Sequence, residues 1–271
     1  MIVNYPRMRR RAAWPNDLDT ALQFASPNPF SISAPKNWDG KLEYTNGSGW
    51  QTWDGSAIAS GKIENNHCIY LRGTGNSKIT GIAFSFAKWQ ISGTNIACNG
   101  DIDRLLDYSA VKGGNRPSLA DYCYAYMFYG CTSLTAAPSL PATTLANNCY
   151  NSMFRGCTSL TAAPSLPATT LANYCYNSMF YGCTSLTAAP SLPATTLANN
   201  CYNSMFQGCT KIKLSTTASG TYTKSYRIPK SGTGTAASSA LNNMFSNTGG
   251  TFKGTPEINT TYYLDESNTI V

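Results

Sequence analysis

Histidine and paired acidic residues, on which most hydrolytic sites depend, are scarce in this sequence. His67 is the only histidine among the 271 residues, and no nucleophile motif lies near it. The chain has no glycine-rich nucleotide-binding motif, and residues 127–209 contain no Asp or Glu to supply a pair of glycosidase carboxylates. No Cys-x-x-Cys pair accompanies the single histidine. The sequence therefore predicts a protein that is not an enzyme and needs no cofactor or metal.

Charge is also scarce, because charged residues make up 12% of the chain, against about 25% in typical soluble domains. Arg155 is the only charged residue in residues 127–204. The surface of that stretch must therefore consist mainly of Asn, Ser, Thr and Tyr. Such a surface binds through hydrogen bonds and aromatic contacts, and it suits neutral or sugar-like partners.

The net charge of +7 comes from the two ends of the chain. Near the N-terminus four arginines form a cluster, which we predict to attach the protein to a larger assembly: Arg7, Arg9, Arg10 and Arg11. A solvated tail is the alternative interpretation. Nucleic acid is not the favoured partner, because no groove of interleaved aromatic and basic residues accompanies the cluster.

Long apolar runs are missing as well. No stretch approaches the roughly 20 apolar residues that cross a membrane. The basic N-terminal region is not followed by the apolar run of about 7–15 residues that a secretory signal contains. We therefore expect no membrane insertion and no export signal in this sequence.

An internal repeat dominates the middle of the chain. A Met-Phe pair recurs every 26 residues, at Met127, Met153, Met179 and Met205. Periods of about 20–29 residues are typical of leucine-rich repeats, and a fixed period of this size indicates a solenoid of stacked units.

One repeat unit has the pattern of a short helix after a short strand. Leu145, Cys149 and Met153 recur at i, i+4 and i+8, which is one stripe of a helix. Gly156 is suited to end that helix, and residues 158–164 form an extended segment that Pro164 stops. Each unit is therefore predicted to be a strand, a proline turn and a helix.

Eight of the ten cysteines keep the register of the repeat. They form one series of Cys123, Cys149, Cys175 and Cys201, and another of Cys131, Cys157, Cys183 and Cys209. Disulfides are one interpretation. We favour reduced cysteines packed in two inward columns, because free cysteine behaves as a small, commonly buried hydrophobe.

The repeat motif resembles a known family. The matching residues are Leu166-Pro167, Leu171, Cys175-Tyr176, Met179-Phe180 and Gly182-Cys183-Thr184-Ser185-Leu186, which are similar to the BspA-type leucine-rich repeats of Bacteroidales surface proteins and of phages that infect these bacteria. The resemblance runs from about residue 96 to the C-terminus and is clearest over residues 122–209. It implies a curved solenoid that recognises surfaces and has no catalytic activity.

The region before the repeats is predicted to be a small antiparallel β-sandwich. Five stretches are rich in strand-forming residues, namely 30–33, 41–45, 50–53, 68–72 and 82–86, and the pairs Asn46-Gly47 and Asp54-Gly55 are hairpin turns. Trp38, Trp50 and Trp53 form either a sugar-stacking platform or part of the core, and we favour the core.

These observations together predict an α+β protein. A small antiparallel β-module is followed by a leucine-rich-repeat solenoid of 26-residue strand–turn–helix units and a C-terminal cap. The predicted divisions are a basic arm (1–24), the β-sandwich-like module (25–95), a linker with the N-terminal cap (96–116), the solenoid (117–209) and the capping region (210–271).

The nearly identical repeats differ at two positions that form a candidate binding surface. One position is occupied by Tyr129, Arg155, Tyr181 and Gln207, and the other by Tyr122, Asn148, Tyr174 and Asn200. The two positions are seven residues apart, so they fall on one face of the predicted helix. The variation indicates either drift at exposed positions or a binding ridge, since Tyr and Arg are favoured in recognition hot spots.

Three functions are compatible with these features. The first is a bacteriophage virion protein, such as a fibre or a capsid decoration, with the arm bound to other virion proteins and the repeats facing a host-surface glycan or protein. The second is a secreted or cell-surface adhesin of a Bacteroidales bacterium. The third is a structural spacer without a ligand. The missing export signal favours the virion, and a homo-oligomer is compatible with all three.

Overall fold

The computed structural model describes residues 14–81 and 87–271. The arginine cluster predicted for particle attachment lies outside the described residues, and so does the strand predicted at 82–86. Within the described residues, strands account for 26% and helix for 5%. None of the described helices has the length and apolarity of a membrane span.

The N-terminal part consists of short strands. After a 3-10 turn (Leu18–Thr20), its described strands are β1 (Leu22–Ser26), β2 (Ser31–Ser33), β3 (Lys41–Thr45), β4 (Gln51–Thr52), β5 (Ile58–Ala59), β6 (Gly61–Ile63), β7 (Asn66–Thr74), β8 (Gln90–Ser92) and β9 (Ile96–Asn99). Four of the five strands predicted for this module are therefore present, three of them with shifted ends and the one at 41–45 with the predicted bounds.

Two sheets enclose the core of this part. The larger sheet has the strand order β9-β1-β7-β3-β4, with β6 also paired to β7, and all of these pairs are antiparallel. The smaller sheet has the order β5-β2-β8. Leu22 and Phe24 of β1, Ile69 and Leu71 of β7, and Ile32 of β2 are fully buried in one apolar cluster. The hairpin predicted at Asp54-Gly55 is wrong, because β5 pairs with β2 and not with β4.

The structure places the three tryptophans of the predicted platform at two different sites. Trp38 and Trp53 are 5% and 1% exposed and stack with their ring centres 5.3 Å apart, so they belong to the core. Trp50 lies half-buried on the other side of the sheet, where its Nε1 donates to Asp17 at 2.8 Å. A platform of all three rings for sugar stacking is therefore wrong.

The β-module and the repeats share one sheet. Strand β10 (Leu134–Ala136) of the first repeat pairs in parallel with β9, which extends the larger sheet. Between them lies helix α1 (Arg104–Lys112), which breaks at Asp107, where φ and ψ are −152° and 100°. Leu105 and Leu106 of α1 are buried in the common core, so the module and the repeats pack as continuous structure.

The predicted solenoid of strand–turn–helix units is wrong, because the repeats contain no helix in the described chain. Left-handed backbone conformations recur at every fourth residue of each copy, with φ between 52° and 76°. An α-helix needs negative φ throughout, so these residues exclude it. In the second copy the left-handed residues are Asn148, Ser152 and Gly156.

Each copy instead contains a ribbon of overlapping turns, which we call a turn segment: residues 120–131, 146–157, 172–183, 198–209 and 237–248. In the first four segments five alternate N–H groups, from the fourth residue of the segment to its last, donate to the carbonyl three residues earlier, with N···O distances of 3.0–3.3 Å. The five N–H groups that alternate with them, beginning at the third residue, donate to the next copy at 2.7–3.0 Å, as from Tyr150 to the carbonyl of Cys175. Adjacent turn segments are therefore joined by five backbone hydrogen bonds.

The four-residue period explains why the sequence resembles a helix. Residues four apart in a turn segment have the same side-chain direction, and a helix with 3.6 residues per turn gives nearly the same pattern. Cys149, Met153 and Cys157 are all fully buried, as a helical stripe would be. The apolar pattern therefore identifies the buried positions correctly while predicting the wrong backbone.

Identical side chains pack on one another between copies. The buried rings of Phe128, Phe154, Phe180, Phe206 and Phe245 form one column and those of Tyr124, Tyr150, Tyr176 and Tyr202 another, with neighbouring ring centres 5.5–5.9 Å apart. All ten cysteines lie in the described residues; each is buried and has a free thiol. Cys157, Cys183 and Cys209 direct Sγ to a carbonyl of the preceding copy at 3.0–3.1 Å. The inward cysteine columns are confirmed.

An exposed column of Asx side chains adds a second link between copies. The Oδ1 atom of Asn147 accepts the backbone N–H of Asn173 at 3.2 Å, and Oδ1 of Asn173 accepts that of Asn199 at 3.2 Å. Asp121 begins the column, since its Oδ1 accepts the N–H of Asn147 at 3.0 Å. This link between copies requires a side chain with an oxygen at the Oδ1 position, as Asn and Asp have.

Other parts of the chain form hydrogen bonds with the backbone N–H and C=O groups at both ends of the repeats. At the first copy, the backbone carbonyl of Cys123 accepts the N–H groups of Ile79 and Thr80, and that of Met127 accepts the N–H of Trp89. At the last copy, the N–H of Phe245 donates to the carbonyl of Gly254. The β-module and the C-terminal region therefore take the places of missing neighbours, which repeat proteins require at their ends.

Strand β11 (Ala188–Ala189) lies in the third copy, and the C-terminal region contains β12 (Lys213–Ser215), β13 (Tyr222–Arg227), β14 (Gly249–Gly250), β15 (Thr261–Asp265) and β16 (Thr269–Ile270). Four of them form a sheet in the order β13-β15-β12-β14, and β16 pairs in parallel with β11 of the third copy. The predicted Met-Phe helix at 241–246 is a fifth turn segment, which hydrogen-bonds to the fourth.

A buried carboxyl group lies where the β-module meets the repeats. Asp103 is 0% exposed, and its Oδ1 accepts a hydrogen bond from the Tyr124 hydroxyl at 3.2 Å. The guanidinium group of Arg116 pairs with Asp101 and lies 3.8 Å from Oδ2 of Asp103. Burial, followed by the charge of Asp101, raises the pKa of Asp103 to about 6, although Tyr124 and Arg116 oppose the shift.

The first prediction concerns this carboxyl group. Because the pKa of Asp103 is higher in the folded protein than in the unfolded chain, its stabilising contribution is present below about pH 4 and is lost as the pH rises to about 6. Asp103→Asn keeps the acceptor for Tyr124 but does not titrate. Relative to wild type, this variant should gain free energy of unfolding between pH 4 and 7, by up to roughly 3 kcal/mol. Urea unfolding at several pH values measures the difference.

The exposed Asp19→Asn variant serves as the control for that series. Its difference from wild type should not follow the same course between pH 4 and 7. An Asp103→Asn difference that stays constant over this range would show that the buried carboxyl does not carry a raised pKa.

The second prediction concerns the Asx column. Asn173→Ala removes the acceptor of the Asn199 N–H and should lower the free energy of unfolding by about 1 kcal/mol. Asn173→Asp keeps an oxygen at this position, as Asp121 does naturally, and should cost less. Urea unfolding of both variants compares them directly, and equal losses would show that the column does not stabilise the repeats.

Candidate functional site

The two variable positions occupy defined places in the turn segments. The first column, Tyr122, Asn148, Tyr174 and Asn200, has left-handed backbone with φ of 56–61°. The second column, Tyr129, Arg155, Tyr181 and Gln207, directly precedes the left-handed glycine of each copy. The helical argument that placed both columns on one face is wrong, because no helix is present there.

The first column has two kinds of residue with different roles. Asn148 and Asn200 accept hydrogen bonds within their own turns, from the Nδ2 atoms of Asn151 at 3.0 Å and Asn203 at 3.2 Å. Asn also tolerates the left-handed backbone better than most residues. Tyr174, by contrast, is 42% exposed. The two asparagines therefore have a structural explanation, whereas the exposed tyrosine does not.

The second column forms a row of alternating cations and rings, which we call the cation–aromatic row: Lys88, Tyr129, Arg155 and Tyr181. The guanidinium carbon of Arg155 lies 4.1 Å from the ring centre of Tyr181 and 5.7 Å from that of Tyr129. Lys88 Nζ lies 5.9 Å from the ring centre of Tyr129. These distances are within the range of cation–π attraction. Gln207 continues the column but has no such contact in the described structure.

Two members of this surface were not predicted from the sequence. Lys88 precedes the repeats and has no repeat pattern to identify it. Tyr126 lies between the two columns, with its ring centre 6.4 Å from that of Tyr129. A signal for Tyr126 was present, because the later copies have Ser152, Ser178 and Ser204 at its position.

The pKa of Tyr126 depends on the same neighbouring groups. Burial raises this pKa most, the phenol groups of Tyr122 and Tyr129 raise it further through charge interactions, and the positive charge of Arg155 lowers it. Tyr126 therefore connects the first column with the second at the first copy.

Arg155 has no anionic partner among the residues that the structure describes. The ion pairs of the described residues involve other side chains, and no described acceptor forms a hydrogen bond with its guanidinium group. The sequence gives the reason, since residues 127–209 contain no carboxylate. The half-buried guanidinium group therefore lies between two tyrosine rings, and its N–H groups have no acceptor among the described residues.

The remaining predictions about sites concern a metal, a cofactor and catalysis. The described residues contain no group of three or more side chains suited to hold a metal ion. The absence of catalysis, of a cofactor and of a metal stays a prediction. Comparison of the chain with protein-family models, with curated proteins and with solved structures finds no match, so the resemblance to BspA-type repeats also stays a prediction.

The third prediction tests the contact between Arg155 and Tyr181. A double-mutant cycle with Arg155→Gln and Tyr181→Leu should give a coupling free energy of about 0.5–1 kcal/mol, the range of exposed cation–π pairs. Urea unfolding of the wild type, both single variants and the double variant supplies the four values. A parallel cycle with Gln207→Ala in place of Arg155→Gln is the control, and similar coupling in both cycles would contradict a cation–π contact.

Proposed function

We propose that this chain is a non-enzymatic recognition protein, and that the cation–aromatic row and the tyrosines beside it contact a host-surface glycan or protein. The observation that carries this proposal is the placement of Arg155. The single charge in a stretch of 78 residues (127–204) lies half-buried between two tyrosine rings and has no hydrogen-bond acceptor among the described residues. Tyr and Arg are the residue types that dominate binding hot spots.

A structural spacer without a ligand is the main alternative for the repeats. The ring columns and backbone hydrogen bonds already hold the copies together without Arg155. Tyr129 and Tyr181 are not needed for that purpose, since Gln207 occupies the same position in the fourth copy. The presence of two tyrosines and an arginine at a position where glutamine suffices favours recognition.

We further propose that the protein acts on a bacteriophage particle, with its N-terminal part bound to other virion proteins. The support comes from the sequence, namely the resemblance of the repeats to BspA-type proteins and the cluster formed by Arg7, Arg9, Arg10 and Arg11. A secreted or cell-surface adhesin of a Bacteroidales bacterium is the second candidate. In both candidates the repeats contact an external surface, and the candidates differ in what the N-terminal part binds.

Mass spectrometry of purified virions and of the cleared medium from the same lysate separates these two locations. We expect peptides of the β-module and of the repeats to sediment together with virions. Peptides found only in the medium or in the host envelope would contradict the virion proposal and support the adhesin.

The fourth prediction tests the recognition surface itself. Tyr129→Ala combined with Tyr181→Ala should weaken attachment to host cells by at least about 30-fold, since truncation of a hot-spot residue costs about 2 kcal/mol or more. Tyr222→Ala, a half-buried tyrosine of β13, is the matched control and should leave attachment unchanged. Attachment that is equal in all three proteins would support the spacer.

A further inference from the structure

A second arginine, Arg72, also lies between two aromatic rings. It shows which groups bind to the hydrogen-bonding edge of such a guanidinium group. Arg72 lies 3.9 Å from the ring centre of Trp50 and 4.4 Å from that of Tyr108. Its edge donates from Nε to Glu43 at 3.0 Å and from Nη1 to Asp17 at 2.5 Å. The rings cover the two faces, and carboxylates occupy the hydrogen-bonding edge.

The carboxylates around Arg72 have the electrostatics of ion pairs. Hydrogen bonds from Trp50 and Arg72 lower the pKa of Asp17 although burial opposes the shift. The pKa of Glu43 is likewise lowered, against the effect of burial, by Lys41 and Arg72. Both groups are therefore anions when the edge of Arg72 is satisfied.

Arg155 has flanking aromatic rings, as Arg72 does, but it lacks carboxylates of the described residues at its hydrogen-bonding edge. Tyr129 and Tyr181 flank its guanidinium group, as Trp50 and Tyr108 flank that of Arg72. No carboxylate of the described chain reaches its edge. Five N–H donors arranged in a plane suit a carboxylate or a sulfate, and such pairs are among the stronger hydrogen-bonded contacts. The free edge of Arg155 is therefore a binding position for an anionic group from outside the chain.

A second cation lies close enough to contact the same ligand. Lys88 Nζ and the guanidinium carbon of Arg155 each lie within 6 Å of the ring centre of Tyr129, so they are less than 12 Å apart. Lys88 has no ion pair among the described residues. Two unpaired cations along one row match a chain that carries repeated negative charges.

We propose that the cation–aromatic row binds an acidic polysaccharide, with one carboxylate or sulfate at the edge of Arg155 and another at Lys88. This inference rests on the proposed recognition function and names the class of ligand. The neutral residues around the row complete the site, because a hydroxyl group such as that of Tyr122 matches the hydroxyl groups of sugars.

Nucleic acid fits this surface less well for a geometric reason. Proteins bind single-stranded nucleic acid by stacking bases on aromatic rings. Arg155 already lies against the ring of Tyr181, and Tyr129 has both Arg155 and Lys88 within 6 Å of its ring centre. The row therefore presents charged edges and leaves little ring surface for stacked bases.

The fifth prediction uses three probes on the full-length protein. Polygalacturonate carries carboxylates, dextran sulfate carries sulfates, and unmodified dextran carries neither. Isothermal titration calorimetry should detect binding of one or both acidic chains and none of dextran, and the better acidic chain identifies the preferred anion. Arg155→Gln should weaken that binding by roughly 10- to 100-fold, the usual effect of losing hydrogen bonds to a charged group.

Matched variants separate the site from general charge attraction. Lys230→Gln removes the same charge at an exposed position outside the row and should change the affinity by less than about twofold. Arg155→Lys keeps the charge but loses the planar edge, so its affinity should fall between those of wild type and Arg155→Gln. Thermal unfolding of each variant verifies that it is folded.

Four outcomes would overturn the inference. Equal losses for Arg155→Gln and Lys230→Gln would show non-specific attraction, and equal binding of dextran would show that charge is not recognised. Tighter binding of single-stranded DNA than of either acidic polysaccharide, with the same dependence on Arg155, would assign the row to nucleic acid. If Tyr129→Ala with Tyr181→Ala abolishes host attachment while Arg155→Gln leaves polysaccharide binding unchanged, the recognition function stands and only this ligand class fails.

Discussion

The left-handed backbone at every fourth residue is the constraint on which the repeat region depends. It turns the chain so that only alternate N–H groups find a carbonyl within the same copy. The other N–H groups face the next copy, and buried backbone groups must be paired. A single copy therefore cannot satisfy its own backbone. The same requirement explains why the β-module supplies N–H donors at the first copy and why Gly254 supplies a carbonyl at the last.

In-register hydrogen bonding places each side chain against its equivalent in the next copy. Inside, this produces the columns of Phe, Tyr and Cys, and any change of size at one copy would disturb both neighbours because interiors are closely packed. Outside, the same register sets Arg155 between Tyr129 and Tyr181. One basic residue in an aromatic column thereby acquires two ring contacts without any further adaptation of the backbone.

Arg72 and Arg155 each lie between two aromatic rings, but their hydrogen-bonding edges have different surroundings. Arg72 joins parts of the β-module, because Glu43 and Asp17 close its edge. Arg155 belongs to a region whose sequence excludes carboxylates, so its edge stays open to an external partner. The scarcity of charge in the repeats, from which we predicted the absence of catalysis, therefore also supports the proposal that this single cation serves recognition.

The sequence by itself determined the repeat period, the buried positions, the inward cysteines, most strands of the β-module and the columns that include Tyr129, Arg155 and Tyr181. It did not determine the backbone of the repeats, because a four-residue turn period and a 3.6-residue helical period give the same apolar pattern. The choice depends on hydrogen bonds between copies, which are 25 residues apart in the chain, as from Tyr150 to Cys175. Only the tertiary structure likewise placed Lys88 beside Tyr129, since no local pattern relates a residue before the repeats to one within them.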